Sequence, residues 1–327
     1  MNQHFLKKMF YKEIFSKLVL ILFLIVSSQS FAQKSFSQIY VFGDSLSDTG
    51  NLASVLDFTL PDPPFYQSSR ITNGPVAVEV MASQLGITLT PSFHLIGAEQ
   101  GTNYAVVGGR ASVDASEPTG LLFQISSFLA NHPNGAPNDA LYIMFIGAND
   151  VRDASRLATE EQRLAHLDLA IYNIQASLAQ LTAVGAKHIL IVDVPNIGRT
   201  PEAAIIAQLL GDRDFPKLAT ALVNNFNKKL RKVTLDLRKK IGPHNVQFFS
   251  AYRVMEFMLN HAEQLGFSNS TDACYDSENF QFYANCSVEL MPSYFFFDYL
   301  HPTAKVHKKI GNLMAAKVYL RSGLVRK

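Results

Sequence analysis

Four short apolar runs, each stopped by glycine or a polar cluster, restrict this chain to an α/β fold with a mostly parallel sheet. They are Ile39 to Phe42 before Gly43, Leu141 to Ile146 before Gly147, His188 to Val192 before Asp193-Val194-Pro195, and Val246 to Phe249. Between the second and third, Leu164, Leu167, Ile171, Ile174 and Leu178 recur at spacings of three and four, which predicts a helix over 160–183. Strand, helix, strand at this length is a crossover unit, right-handed in nearly all cases. Residues 204–237 read as one or two helices capping the sheet, and 303–320 as a closing helix. Residues 57–73, with Pro61, Pro63 and Pro64, read as irregular, and 131–139 (NHPNGAPND) as a turn. No internal repeat is present, and one domain over 33–327 fits better than two.

The first 32 residues stand apart. Lys7, Lys8, Lys12 and Lys17 surround or precede the start of an unbroken apolar run, Leu18 to Val26, and Ser30-Phe31-Ala32 places small residues three and one positions ahead of Gln33. That order predicts a secretory signal peptide over 1–32. The run is too short for a bilayer, which needs about 20 residues per helix; a retained N-terminal anchor is the alternative. The remaining chain is expected to be secreted, into a periplasm or the medium. The leader carries net +3 against +2 for the whole chain, which puts the rest near −1. Nucleic-acid binding needs a basic surface to release counterions, and this composition offers none overall.

Cys274 and Cys286 are the two cysteines, with eleven residues between them. In an oxidising compartment such neighbours pair. A metal site would want more ligands close by, so a disulfide closing a polar and aromatic loop is expected, and no metal.

In an α/β sheet, ligands sit beyond the carboxyl ends of the strands. Three polar clusters fall there: Gly43-Asp44-Ser45-Leu46-Ser47-Asp48, Gly147-Ala148-Asn149-Asp150 and Asp298-Tyr299-Leu300-His301-Pro302. Ser45 is expected in a tight strand-to-helix turn near a helix N-terminus, which favours a nucleophile whose attack builds negative charge. The Asn149 amide can donate to an oxyanion. His301 can reach the serine while Asp298, three residues back, steadies the ring. Singly, each cluster reads more simply as a cap, a turn or a structural histidine. Their joint occurrence, in the order Ser, Asn, Asp, His, points to a nucleophile, a base and its orienter.

These residues resemble the GDSL/SGNH lipases and esterases. Val41 to Asp48 is similar to that family's first block and Asn103-Tyr104-Ala105-Val106-Val107-Gly108-Gly109 to its second. Gly147 to Asp150 is similar to the third and Asp298-x-x-His301-Pro302 to the last. Arg70 to Val76 resembles a segment found between the first two blocks in larger members. The resemblance implies a three-layer α/β/α, flavodoxin-like hydrolase without cofactor or metal. It implies Ser45 as nucleophile, His301 as base and Asp298 as its support. The oxyanion would be held by the N–H groups of Ser45 and Gly108 and by the Asn149 amide, with Gly109 as the fallback. Arg110 departs from the alanine many members carry there; its guanidinium would meet a phosphate or cover the turn.

Within the family, the layout and the cysteine-closed loop resemble secreted bacterial lysophospholipases, phospholipases A and glycerophospholipid:cholesterol acyltransferases. A lysophospholipid or phospholipid substrate follows from that, with a sterol as a further acyl acceptor. Phe295, Phe296 and Phe297, with Phe65 and Tyr66, read as an acyl groove or as core. On 224–240, Phe226, Leu230, Val233 and Leu237 share one face among seven basic residues, which reads as a peripheral contact for anionic lipid or as a solvated face. Two rivals remain. A carbohydrate acetyl esterase would want aromatic platforms, and the chain has no Trp. A non-enzymatic binding protein would have lost a catalytic residue, and none is missing.

Overall fold

The computed structural model describes residues 36–319, apart from 57–59, 62, 63, 67, 68 and 98. The expected leader therefore lies outside the described residues. The strands β1 (Ile39–Gly43), β2 (Leu141–Phe145), β3 (His188–Val192) and β4 (Val246–Phe249) form one parallel sheet in that order. Ile39 stands opposite Leu141, Leu141 opposite His188, and Ile189 opposite Val246. All but His188 are buried. A parallel strand covered on both faces needs apolar residues at every position, which is why each reads as a continuous run.

The helices are α1 (Ala77–Gln84), α2 (Leu121–Asn131), α3 (Ala148–Ala154), α4 (Glu160–Ala183), α5 (Pro201–Leu210), α6 (Phe215–Ile241), α7 (Ala251–Asn260) and α8 (Ala304–Tyr319). Alternate strand residues face opposite ways. Tyr40, Phe42, Tyr142, Met144, Ile189 and Ile191 pack with α2, α4 and α6. Ile39, Val41, Ile143, Phe145, Leu190 and Val192 pack with α1, α7 and α8. The result is the three-layer α/β/α arrangement. Each such buried side chain is worth about 1.5–3 kcal/mol relative to exposure.

Helix α4 spans the predicted range, begun by a capping box in which Thr159 and Gln162 exchange side-chain bonds at 3.2 Å. The crossover from β2 to β3 contains α3 as well, which was too short to show a period. The segment predicted as one or two capping helices is two, separated by Gly211 in the left-handed region at φ 65°. At the outer edge of β1 the described residues make an isolated bridge between Val41 and Asn103. There Val41 N–H donates to Thr102 O (3.1 Å), and Tyr104 N–H to Val41 O (2.8 Å).

The cysteines form the expected disulfide. Between them the chain is a small antiparallel hairpin, with Tyr275–Asp276 paired to Gln281–Phe282, where the sequence suggested a loop. Two pairs of residues are too short to leave an alternation. The hairpin packs on Leu60, Phe65 and Phe297.

Candidate active site

Beyond Gly43 the chain makes a single turn, with the N–H groups of Ser47 and Asp48 both donating to Asp44 O at 3.0 Å. No α-helix follows Ser45, contrary to the sequence expectation. The Asp48 carboxylate collects the N–H groups of Gly50 (2.7 Å), Asn51 (2.7 Å) and Leu52 (3.1 Å), which a continuing helix would give to carbonyls four residues back. Its Oδ2 also accepts Val107 N–H at 2.9 Å, tying this turn to the Gly108 loop. Asn103 adds a second tie, donating to Ser47 O (2.7 Å) and Thr49 Oγ1 (2.9 Å).

Ser45 Oγ lies 2.8 Å from His301 Nε2. On the other side of the ring, His301 Nδ1 is 2.8 Å and 3.0 Å from the two oxygens of Asp298. Asp298 is buried, and its Oδ1 also accepts the N–H groups of Leu300 (2.8 Å) and His301 (2.6 Å). The acid thus folds its own turn and presents the histidine from it. Ser277, in the disulfide hairpin, donates to Asp298 Oδ2 at 3.0 Å. The loop after His301 is pinned by Thr72, which donates to Pro302 O (2.9 Å), and by Asn73, which accepts Ala304 N–H (2.9 Å).

Burial works against a charge on His301, but the Asp298 carboxylate outweighs it and raises the imidazole above its ordinary value. Burial likewise opposes charge on Asp298; His301 and the two turn N–H groups prevail and lower it. Asp44 goes the other way. Its Oδ1 accepts Leu46 N–H at 3.0 Å, and the backbone N–H of Ala148 also favours its charged form. Burial pushes it up to about 7.

Asn149 sits in the first turn of α3, after Gly147 at φ 121°. Its amide donates to Gly109 O at 2.9 Å, and Asp150 accepts the N–H groups of Ala111 (3.0 Å) and Ser112 (2.7 Å). Those bonds fasten the Gly108–Gly109 loop across the end of β1. Gly109 gives its N–H to Val106 O at 3.0 Å, which removes it as a donor. Among the described residues, the N–H groups of Ser45 and Gly108 and the second Asn149 amide proton meet no protein acceptor. Ser45, Asn149 and His301 line one cavity, and Gly108 does not line it. The cavity is closed in by Leu46, Ile197, Met255 and Leu300 and holds about 30 Å³, space for a water or two. The arrangement can pass a proton from hydroxyl to imidazole and receive a negative oxygen.

Arg110 covers the turn: it donates to Gly108 O at 2.8 Å and pairs with Asp153 through Nε at 2.5 Å. Phe295, Phe296, Phe297 and Phe65 are core, not groove. Tyr66 instead stacks against Arg70, 5.2 Å from ring centre to guanidinium carbon. The apolar face of α6 is equally occupied, with Phe226, Leu230, Val233 and Leu237 buried against the sheet. It has no apolar face left for lipid.

Gln124 escaped the sequence reading. It lies fully buried on the stripe Leu121, Gln124, Ile125, Phe128 of α2, and a polar residue on such a stripe was the available signal. Ser277 carried no signal at all.

The GDSL-like Lipase/Acylhydrolase family pattern matches residues 39–314. Phosphatidylcholine-sterol acyltransferase of Aeromonas hydrophila is 28% identical over 247 residues, which are 75% of this chain and 67% of that protein. Thermolabile hemolysin of Vibrio parahaemolyticus is 24% identical over 290 residues, 85% of this chain and 63% of its own length. Among solved structures, Axe2, an acetylxylan esterase from Geobacillus stearothermophilus, aligns over 89% of this chain and 96% of that one with a TM-score of 0.45 and 11% identity. A match that begins with β1 and ends within α8 takes in every strand and polar cluster described above, and the chain belongs to the GDSL-like lipase/acylhydrolase family.

Proposed function

We propose that this protein is an exported serine ester hydrolase that cleaves acyl esters of lysophospholipids and phospholipids through an acyl-serine. The 2.8 Å contact between Ser45 Oγ and His301 Nε2 carries the reading. Ser45 Oγ attacks the ester carbonyl carbon and its proton passes to Nε2. The carbonyl oxygen becomes an oxyanion, met by the Ser45 N–H and the Asn149 amide, with the Gly108 N–H, outside the cavity lining, as the third donor that the family resemblance implies; one such donor is worth about 3–4 kcal/mol in the transition state. Collapse expels the alcohol oxygen, which takes the proton back from His301. Water then repeats the sequence on the acyl-serine and frees the acid; a sterol hydroxyl in place of water would leave a sterol ester. Asp298 keeps the ring oriented and stabilises its cation throughout.

Membership in a family of lipases and acylhydrolases, and the likeness to a phosphatidylcholine-sterol acyltransferase, support a lipid ester. A disulfide supports export. The space beside Ser45 is about 30 Å³, so a long acyl chain lies largely outside it. That narrowness favours a second reading, a carbohydrate acetyl esterase using the same residues. Turnover of lysophosphatidylcholine, phosphatidylcholine and acetylated xylan separates the two. Hydrolysis of the lipids, lost by several orders of magnitude in Ser45→Ala, supports the first; hydrolysis of the xylan alone supports the second. No turnover of any ester, or a fully active Ser45→Ala protein, overturns both.

A further inference from the structure

Helices α7 and α8 enclose a second cavity that shares no lining residue with the Ser45 pocket. It is an open groove of about 450 Å³, within the range of small-molecule sites. Its walls are Val254, Phe257, Met258, Leu265 and Leu313. Phe257 and Leu313 are 57% and 48% exposed, which leaves apolar surface open to solvent there.

The two charged residues that line this groove are both basic, and Glu263, two residues before Leu265, does not line it. Arg253 and Lys309 line it, and neither has an acidic partner among the described residues. Helix α8 also carries Lys308 and Lys305, whose Nζ donates to Gly266 O, and contains no Asp or Glu. On α7 the acid Glu256 is engaged by Asn196 (3.1 Å) and Arg199 (3.3 Å). Lys305 is held below the usual lysine range, first by burial and then by the charge of Lys309. Arg253 from α7 and Lys309 from α8, set beside apolar walls, form a site for an anion with an apolar tail.

We propose that the groove binds a single-chain anionic amphiphile, a fatty-acid carboxylate, with its chain against Phe257, Met258 and Leu313 and its head group met by Arg253 and Lys309. This chemistry does not involve Ser45.

Isothermal titration with decanoate below its micelle concentration tests it, with 1-decanol as the uncharged counterpart. The Arg253→Glu/Lys309→Glu protein is expected to bind decanoate about 10-fold more weakly, the scale that two partly exposed ion pairs support. Leu313→Asp weakens it comparably, and 1-decanol binds the unaltered protein about 10-fold more weakly than decanoate. Equal decanoate affinity in the double variant, or equal binding of the alcohol, overturns the proposal. So does a double variant that loses only its adhesion to phosphatidylglycerol vesicles, which would make the surface a membrane dock. The titration needs no turnover, so it reads the groove even if no ester is hydrolysed.

Discussion

Gln124 clamps Gly43 at both backbone groups: Gly43 N–H donates to Oε1 at 2.9 Å, and Nε2 donates to Gly43 O at 2.8 Å. The same nitrogen reaches Thr119 O at 2.9 Å. A side-chain amide thus stands in for a neighbouring strand at the end of β1, two residues before Ser45. Gly109 lies directly alongside, since a Cβ there would come within 2.7 Å of Gly43 O.

Gln124→Leu keeps the volume and removes all three bonds. Buried donors and acceptors left open cost about 1–3 kcal/mol each. The variant is expected to unfold at lower urea concentration. Its kcat on a soluble ester falls as well, because the Ser45 turn loses its anchor. An unchanged kcat at full folding would show that the turn holds itself.

In the proposed mechanism the base must be neutral to accept a proton, so activity is expected to rise with pH as His301 deprotonates. With Asp298 raising the imidazole above 6.5, half-maximal kcat/KM is expected above that pH. Asp298→Asn moves the limb lower and reduces kcat by about 10⁴-fold. The linked stability has two parts. The His301 contribution is full below 6.5 and is lost as pH rises through its raised value; the Asp298 contribution is present above 3.8 and is lost as pH falls through its lowered value. A pH–rate profile of wild type and variant checks the order of the limbs.

Asp44 destabilises the fold when ionised. Its value of about 7 in the folded protein, against 3.8 ordinarily, means that protonation favours folding below 3.8 and that this support is lost as pH rises through 7. Asp44→Asn retains an oxygen for Leu46 N–H and abolishes the charge. Its Tm advantage over wild type is expected to widen between pH 5 and 8 by at least about 2–4 °C. The variant also lowers the His301 limb, since the Asp44 charge helps hold the imidazole up. Parallel Tm curves would refute this.

Replacing both Cys274 and Cys286 by Ser opens a ring of separation 12. By the loop-entropy account this costs about 2–3 kcal/mol, read as a lower urea midpoint. Thiol titration of the unfolded, unreduced wild-type protein is expected to find none.

The four strands, the long helix 160–183 and the polar clusters at strand ends were legible in the chain itself, because burial on both faces and helical periodicity leave local patterns. So was the cysteine pairing, which needs only two thiols a short loop apart. The hairpin between them, the short helix after Gly147 and the turn after Ser45 were not, since two to seven residues are too few for a period.

What the fold alone decided is which polar groups meet. Ser45 and His301 are 256 residues apart, and no local pattern sets a distance across that interval. The clamp of Gln124, the bond from Ser277 to Asp298 and the assignment of three consecutive phenylalanines to core all depend on neighbours supplied by other elements. Periodicity says which way a side chain faces; only packing says what it finds there.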